Sequence, residues 1–298
     1  MKTKNFVLSG ILGIALSGLV LTGCHKSSST PDTDITAAQD ETSGSYASND
    51  SKNVSDNAVG ANANKYGPEK HSIQAVYSSH CVVTWSDTAA AETTVTVTVN
   101  FGSSPVLCND GKWRQGEIMI SWPVSAGQFF WEAYFNKNTT ITQTFNGYKV
   151  GETSGTMNSV AGTRTWTNAG LDTLGYESWS FSANLNITRY NGKTFTWVSN
   201  RTNALVNQGG AWYYEVTGNA TGTTETGATY TITIANPLYA TALPWWLGGC
   251  AYIESGVVNI TRSNSTNTLS INFGTLGECT GTATATLDGN TYTISKWW

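Results

Sequence analysis

Five cysteines are the most reactive side chains of this 298-residue chain, and position separates one from the others. Cys24 follows Leu21-Thr22-Gly23 at the end of an apolar run over residues 6–21, and Lys2 and Lys4 precede that run. A basic start, an apolar stretch shorter than the roughly 20 residues of a permanent span and small residues before a fixed point describe a cleavable export signal. Cleavage before Cys24 leaves its thiol at the new amino terminus, as a nucleophile able to accept a lipid. Cys81, Cys108, Cys250 and Cys279 remain, and an exported chain sits where disulfides persist.

Other reactive constellations are sparse. The three histidines are His25, His71 and His80, and only His80 lies near the regularly patterned part of the chain, beside Cys81. A Ser-His-Asp or Cys-His arrangement would have to be built on it. No His, Cys, Asp and Glu cluster has metal-ligand spacing, and no glycine-rich loop leads into a helix, so the sequence implies neither a metal nor a cofactor. Glu117, Glu132, Glu152, Glu177, Glu215 and Glu254 are the carboxylates from which a glycosidase pair could be drawn; nothing in the spacing pairs them, and solvated outer-face positions explain them.

Aromatic residues are more informative. Trp85, Trp122, Trp131, Trp166, Trp179, Trp197 and Trp212 sit in strand-like alternation, where core packing accounts for them. Trp245 and Trp246 differ, because they follow Pro244 and precede Gly248-Gly249 in a loop-like stretch. Adjacent residues of an extended chain point to opposite faces, so one ring is a candidate to meet a ligand or partner. Asp87-Thr88-Ala89 and Asp172-Thr173-Leu174 also match a short O-glycosylation acceptor pattern of Bacteroidetes.

The elements that must position these groups are strands. Val95, Val97, Val99 and Phe101 alternate with Thr94, Thr96, Thr98 and Asn100, the period of a strand with one buried face. The alternation returns at Leu185 and Ile187, at Phe195 and Trp197, at Tyr230, Ile232 and Ile234, and at Val258 and Ile260. Asp110-Gly111, Asn146-Gly147, Asn191-Gly192 and Asp288-Gly289 separate such runs and tolerate the positive φ of tight hairpins. Pro123, Pro237 and Pro244 are expected at strand ends or breaks. No stretch has a helical period. The pattern predicts an all-β fold, a large antiparallel meander of about a dozen or more strands, closed either as a two-sheet sandwich or as a curled open barrel.

The ends of the patterned region resemble each other. Cys81, Asn100-Phe101-Gly102 and Cys108 at one end match Cys250, Asn272-Phe273-Gly274 and Cys279 at the other. Facing residues of an antiparallel pair have a constant number sum, so bridged cysteines should be centred on the turn. Cys250 and Cys279 centre near Asn264, inside Ser263-Asn264-Ser265-Thr266-Asn267. Cys81 and Cys108 centre near Thr94, a few residues past the expected turn. The favoured pairing is 81 with 108 and 250 with 279; cross-linking of the two end units remains open.

Leu21-Thr22-Gly23-Cys24 resembles the lipobox of bacterial lipoproteins at all four positions, which implies lipidation of Cys24 and, with His25 following, an outer-membrane address. Several longer-range stretches are similar to a widespread group of lipoproteins of Bacteroidetes-type bacteria. They are Asn100-Phe101-Gly102, Asp110-Gly111-Lys112 with Arg114 and Gly116, Gly162-Thr163-Arg164-Thr165 with Asn168, Asn191-Gly192-Lys193-Thr194 with Trp197, and Asn236-Pro237-Leu238 before Cys250. The resemblance spans most of the chain after Ile73 and implies an all-β lipoprotein of the cell envelope. It brings no substrate or catalytic residue, and Trp245-Trp246 and Trp297-Trp298 depart from the group.

The expected organisation is a signal peptide over 1–23, a lipidated Cys24 with a disordered polar tether over 24–71, and a single all-β domain over 72–298. The tether follows from composition, since Ser, Asp, Asn, Thr, Ala and Gly bury too little apolar surface to offset ordering entropy. Charged residues make up 12% of the chain and the net charge is −4, which excludes a basic surface for nucleic acid. Low charge and absent catalytic clusters favour a non-enzymatic binding or adhesion module, partnered by the membrane through Cys24 and by a glycan or an envelope protein. A structural or assembly subunit of the envelope is the alternative, and a carbohydrate-active enzyme the third reading.

Overall fold

The computed structural model describes residues 32–66, 81–85, 93–125, 127–171, 177–241, 250 and 253–296. A helix, α1 (Thr36–Tyr66), comes first, followed by β1 (Val82–Trp85), β2 (Thr94–Asn100), β3 (Val106–Leu107), β4 (Trp113–Pro123) and a short helix α2 (Phe130–Phe135). Then come β5 (Thr140–Gly151), β6 (Asn158–Leu171), β7 (Glu177–Thr188), β8 (Thr194–Gln208) and β9 (Ala211–Thr223). The chain ends with β10 (Thr229–Thr241), β11 (Ile253–Arg262), β12 (Ser265–Asn272), β13 (Thr282–Leu287) and β14 (Asn290–Ser295).

The strands form one 14-stranded antiparallel sheet in chain order, with the two-residue β3 set beside β4. Alternation makes the faces: in β2, Val95, Val97 and Val99 are buried while the threonines between them are not. The choice between sandwich and barrel is settled by α1, which touches strands from β2 at one end of the sheet to β14 at the other. A single sheet reaching one helix from both ends curls around it, so the architecture is one curled open sheet, neither two packed sheets nor a closed barrel. β1 and β14 remain its two edges.

Turn chemistry behaves as expected at three of four sites. Asp288 and Gly289, with φ of 51° and 77°, close the β13–β14 hairpin as a turn with two left-handed residues. Gly192 closes β7–β8 and Gly111 leads into β4, both at positive φ. Asn146-Gly147 instead lies inside β5, where the register slips against both β4 and β6. Gly116 is the reason: a Cβ there would stand 2.2 Å from the Gly147 carbonyl oxygen, so two glycines let the backbones approach at a bulge. Pro123 ends β4, and Pro237 sits at a register break of β10.

The likeness of the two ends is structural as well. The Asn100 and Asn272 side chains each accept the N–H two residues on, at 2.7 and 2.9 Å. Phe101 and Phe273 N–H groups donate to the bulge glycines Gly116 and Gly256, and both rings are buried.

The polar segment expected to be a tether is the largest departure. Of residues 24–71, those from Thr36 to Tyr66 form α1, and the compact unit begins at Asp32 rather than at residue 72. Residues 40–48 are buried on every side of the helix, which explains the missing helical period: a helix enclosed all round has no wet face to alternate with. The lining side chains are small, Ala37, Ala38, Ser43, Ala47, Ser48, Ser51, Ser55 and Ala58. Gly44 lies so close to the sheet that a Cβ would come within 2.4 Å of the Trp197 ring.

Small polar residues bury little apolar area, and α1 is held instead by charge. Arg114 of β4 donates to Asp50 at 2.6 Å and also pairs with Asp110. Arg201 of β8 pairs with Glu41 at 2.5 Å, Arg189 of the β7–β8 turn with Asp40 at 2.9 Å, and Arg262 of β11 with Asp32 at 2.5 Å. Gln143 donates to the Ser51 carbonyl, Tyr148 to Asp50 and the Trp197 indole to Glu41. Composition alone argued for disorder because these partners lie 64 to 230 residues away in sequence. Near the start of the helix, the Asp34 carboxylate accepts the Thr36 N–H at 3.0 Å.

Candidate functional site

The inner face of the sheet is occupied by α1 and its ion pairs, so the surface offered to other molecules is the outer one. Register decides what that surface carries. Thr96 of β2 faces Ser121 of β4, which faces Thr142 of β5 and then Thr165 of β6. The row continues through Ser182, Asn200 and Asn219 of β7, β8 and β9. It goes on to Thr233, Asn259, Ser270, Thr286 and finally Thr291 of β14.

Every residue of this row is Thr, Ser or Asn, and none is buried. Neighbouring strands lie about 4.8 Å apart, so the row is a line of hydroxyl and amide groups at that repeat, free of formal charge. A parallel row, Thr140, Thr167, Ser180, Thr202 and Thr217, runs beside it across β5 to β9. Between the two lies a shallow depression of about 360 Å³ bordered by Thr165, Thr167, Ser180, Ser182, Asn200 and Thr202. Such a surface makes many neutral hydrogen bonds and no ionic ones, and it supplies no nucleophile–base pair.

Four of the carboxylates considered for glycoside chemistry each have their own described partner. Glu117 accepts from the Asn100 and Asn146 side chains at 2.6 and 2.9 Å, and Glu152 pairs with Lys112 at 2.9 Å. Glu215 accepts the Tyr239 hydroxyl at 2.7 Å; burial, followed by that carboxylate, pushes the phenol up to about 12. Glu254 is buried beneath the Gly277 N–H at 2.8 Å, Glu132 lies exposed in the first turn of α2, and Glu177 opens β7. Burial holds Lys296, near Glu254, down to about 8. No group of three or more His, Cys, Asp or Glu able to hold a metal occurs among the described residues.

Cys250 and Cys279 are disulfide-bonded, with Cα atoms 5.3 Å apart. Register explains it: facing numbers in β11–β12 add to 529 from Val257–Asn272 to Ile260–Leu269, and 250 with 279 continues the series. Cys81 and Cys108, expected to be the second bridge, are free thiols. In β1–β2 the facing numbers add to 182, which sets Cys81 opposite Phe101, while Cys108 follows β3 into the turn before β4. Burial, with a smaller contribution from Cys108, pushes the Cys81 thiol up to about 12.

Cys24, His80, Trp245 and Trp246, and both acceptor triplets with Thr88 and Thr173, lie outside the described residues. Trp122, Trp166, Trp179 and Trp197 are buried as core packing requires, whereas Trp212 is 38% exposed. Among the described residues no helix is long and apolar enough to cross a membrane, which says nothing about strands. The outer row was missed because it exists only across eleven strand pairings; its trace in the sequence is the recurrence of Thr-x-Thr, as at residues 94–98, 140–144, 163–167 and 229–233. Comparison of the chain with protein-family models, with curated proteins and with solved structures found no match.

Proposed function

We propose that this protein is an envelope lipoprotein, anchored to the outer membrane through Cys24, whose sheet serves as a non-enzymatic binding module for uncharged, hydroxylated ligands, glycans above all. The observation that carries the reading is the unbroken row of twelve Thr, Ser and Asn residues from Thr96 to Thr291. Sugar hydroxyls are both donors and acceptors, as are the hydroxyls and amides of the row. The resemblance of residues 21–24 to a lipobox supplies the anchor, and the low charge of the chain fits a neutral partner.

A glycan array probed with the full-length chain tests this, with Thr165→Lys, Ser182→Lys and Asn200→Lys combined as the blocking variant. These positions are not buried, so the fold should be retained, with the melting temperature lowered only by repulsion between the facing lysines, while binding is lost. Binding to a neutral glycan should also be insensitive to salt. An array without signal, or binding that survives the triple variant, defeats the reading.

The edges favour one second reading, an assembly subunit. Among the described strands, β1 and β14 each have a single neighbour, and an unpaired edge is a template for another strand. Oligomers in light scattering that disappear when Thr291 and Thr293 of β14 become proline would support it over the glycan reading.

A further inference from the structure

Five arginines face α1 from the sheet, and four of them meet a carboxylate. Arg164 of β6 forms no ion pair among the described residues. Its Nε donates to Ser48 Oγ at 2.8 Å, but Nη1 and Nη2 are both buried without a hydrogen-bond partner. The guanidinium carbon lies 4.9 Å from the ring centroids of Trp166 and of Phe181, which face each other across β6 and β7.

Charge near this group is unbalanced. Lys52 of α1 stands 5.8 Å from the Trp166 ring centroid and 4.9 Å from that of Trp179. Its ammonium pairs with Asp56, whose other oxygen accepts the Tyr134 hydroxyl at 2.7 Å. Two cations therefore share one carboxylate. The Trp179 indole N–H, on the next strand of the same inner face, is likewise buried without a partner. The region is walled by aromatic rings and holds two cations to one carboxylate; the buried amide oxygens Gln143 Oε1 and Asn203 Oδ1, on the residues facing Arg164 and Trp179 in the register, are neutral and also without a partner. Burial draws the Arg164 guanidinium down to about 10, with Asp56 only partly opposing it.

We infer that docking of α1 encloses one small monovalent anion on the Nη1–Nη2 edge of Arg164. Water would satisfy the donors but leave the charge, whereas one monoanion does both. A divalent anion would overcompensate and meet Asp56. The occupant is of halide size or a one-carbon carboxylate, and the site is independent of the outer-face reading.

Urea unfolding of the full-length chain at constant ionic strength tests it, with bulky methanesulfonate exchanged for chloride, bromide or formate. An anion bound only by the folded state lowers the unfolding constant in proportion to its concentration, about a hundredfold at a hundred times its dissociation constant. The expected result is a slope of one anion for a halide or for formate in wild type and no slope in Arg164→Met. A slope for formate alone identifies a carboxylate occupant and keeps the site. Should Arg164→Met not fold, an anomalous bromide peak beside Arg164 Nη1 and Nη2 in wild-type crystals decides in favour. No slope with any anion, a slope retained in Arg164→Met, or, where bromide gives a slope, a bromide peak absent from Arg164 overturns the inference.

Discussion

Replacing Arg201 by methionine tests whether α1 is a docked core helix or a passenger. Arg201 and Glu41 are 2% and 0% exposed, and the guanidinium also reaches Ser45 Oγ at 2.8 Å. The Glu41 carboxylate accepts from Ser45 and from the Trp197 indole, yet Arg201 is the cation paired with it. Removing one partner of a buried pair leaves a charge without compensation, at a cost of about 3–5 kcal/mol. In a chain of this size each kcal/mol moves the melting temperature by about 2–4 °C, so Arg201→Met should melt about 6–20 °C below wild type. Combining it with Glu41→Gln removes the stranded charge and should recover much of the loss. Circular dichroism melts measure both, and trypsin cleavage after Lys52 reports on α1 directly. A loss under about 1 kcal/mol, with Lys52 cut equally fast in wild type and variant, would show that the helix is not held by this pair.

Gly44→Ala should gain about 1 kcal/mol of helix propensity, yet its Cβ would meet the Trp197 ring at 2.4 Å, so a net loss of about 1–3 kcal/mol is expected in chemical denaturation; a stabilised variant refutes the close approach. Burial raises Asp40 to about 7 despite Arg189, so its proton favours the folded state: the contribution is complete below pH 3.8 and disappears as pH rises through about 7. Wild-type stability should therefore fall by roughly 1–4 kcal/mol over that range and flatten in Asp40→Asn, and equal slopes in both would remove Asp40 as the cause. With its thiol raised from 9.0 to about 12, Cys81 should react with iodoacetamide at pH 8 about a thousandfold more slowly in the native protein than in urea. Peptide mass spectrometry reads the rate, and native labelling at the unfolded rate, or recovery of Cys81 joined to Cys108, contradicts a half-buried free thiol at Cys81.

The strands were legible because burial of one face writes itself into a strand as alternation, as in Val95, Val97 and Val99. The Cys250–Cys279 bridge was legible for a related reason. A tight hairpin fixes register locally, and both cysteines lie on the continuation of one constant sum. The same arithmetic failed for Cys81 because the register of β1–β2 is centred elsewhere and sets it opposite Phe101, while Cys108 lies in the turn after β3. Asn146-Gly147 carried turn chemistry but was used at a bulge, since only the neighbouring strand shows that Gly116 needs the room.

What the sequence determined by itself was local: strand identity, most turns and one disulfide. Tertiary structure alone decided that a Ser- and Asp-rich segment is a buried helix. Its stabilisation comes from arginines on β4, β8 and β11 that become neighbours only when the sheet curls. It also decided that scattered threonines and asparagines form one continuous outer row, because register between strands far apart in sequence is set by the whole sheet and not by any single strand.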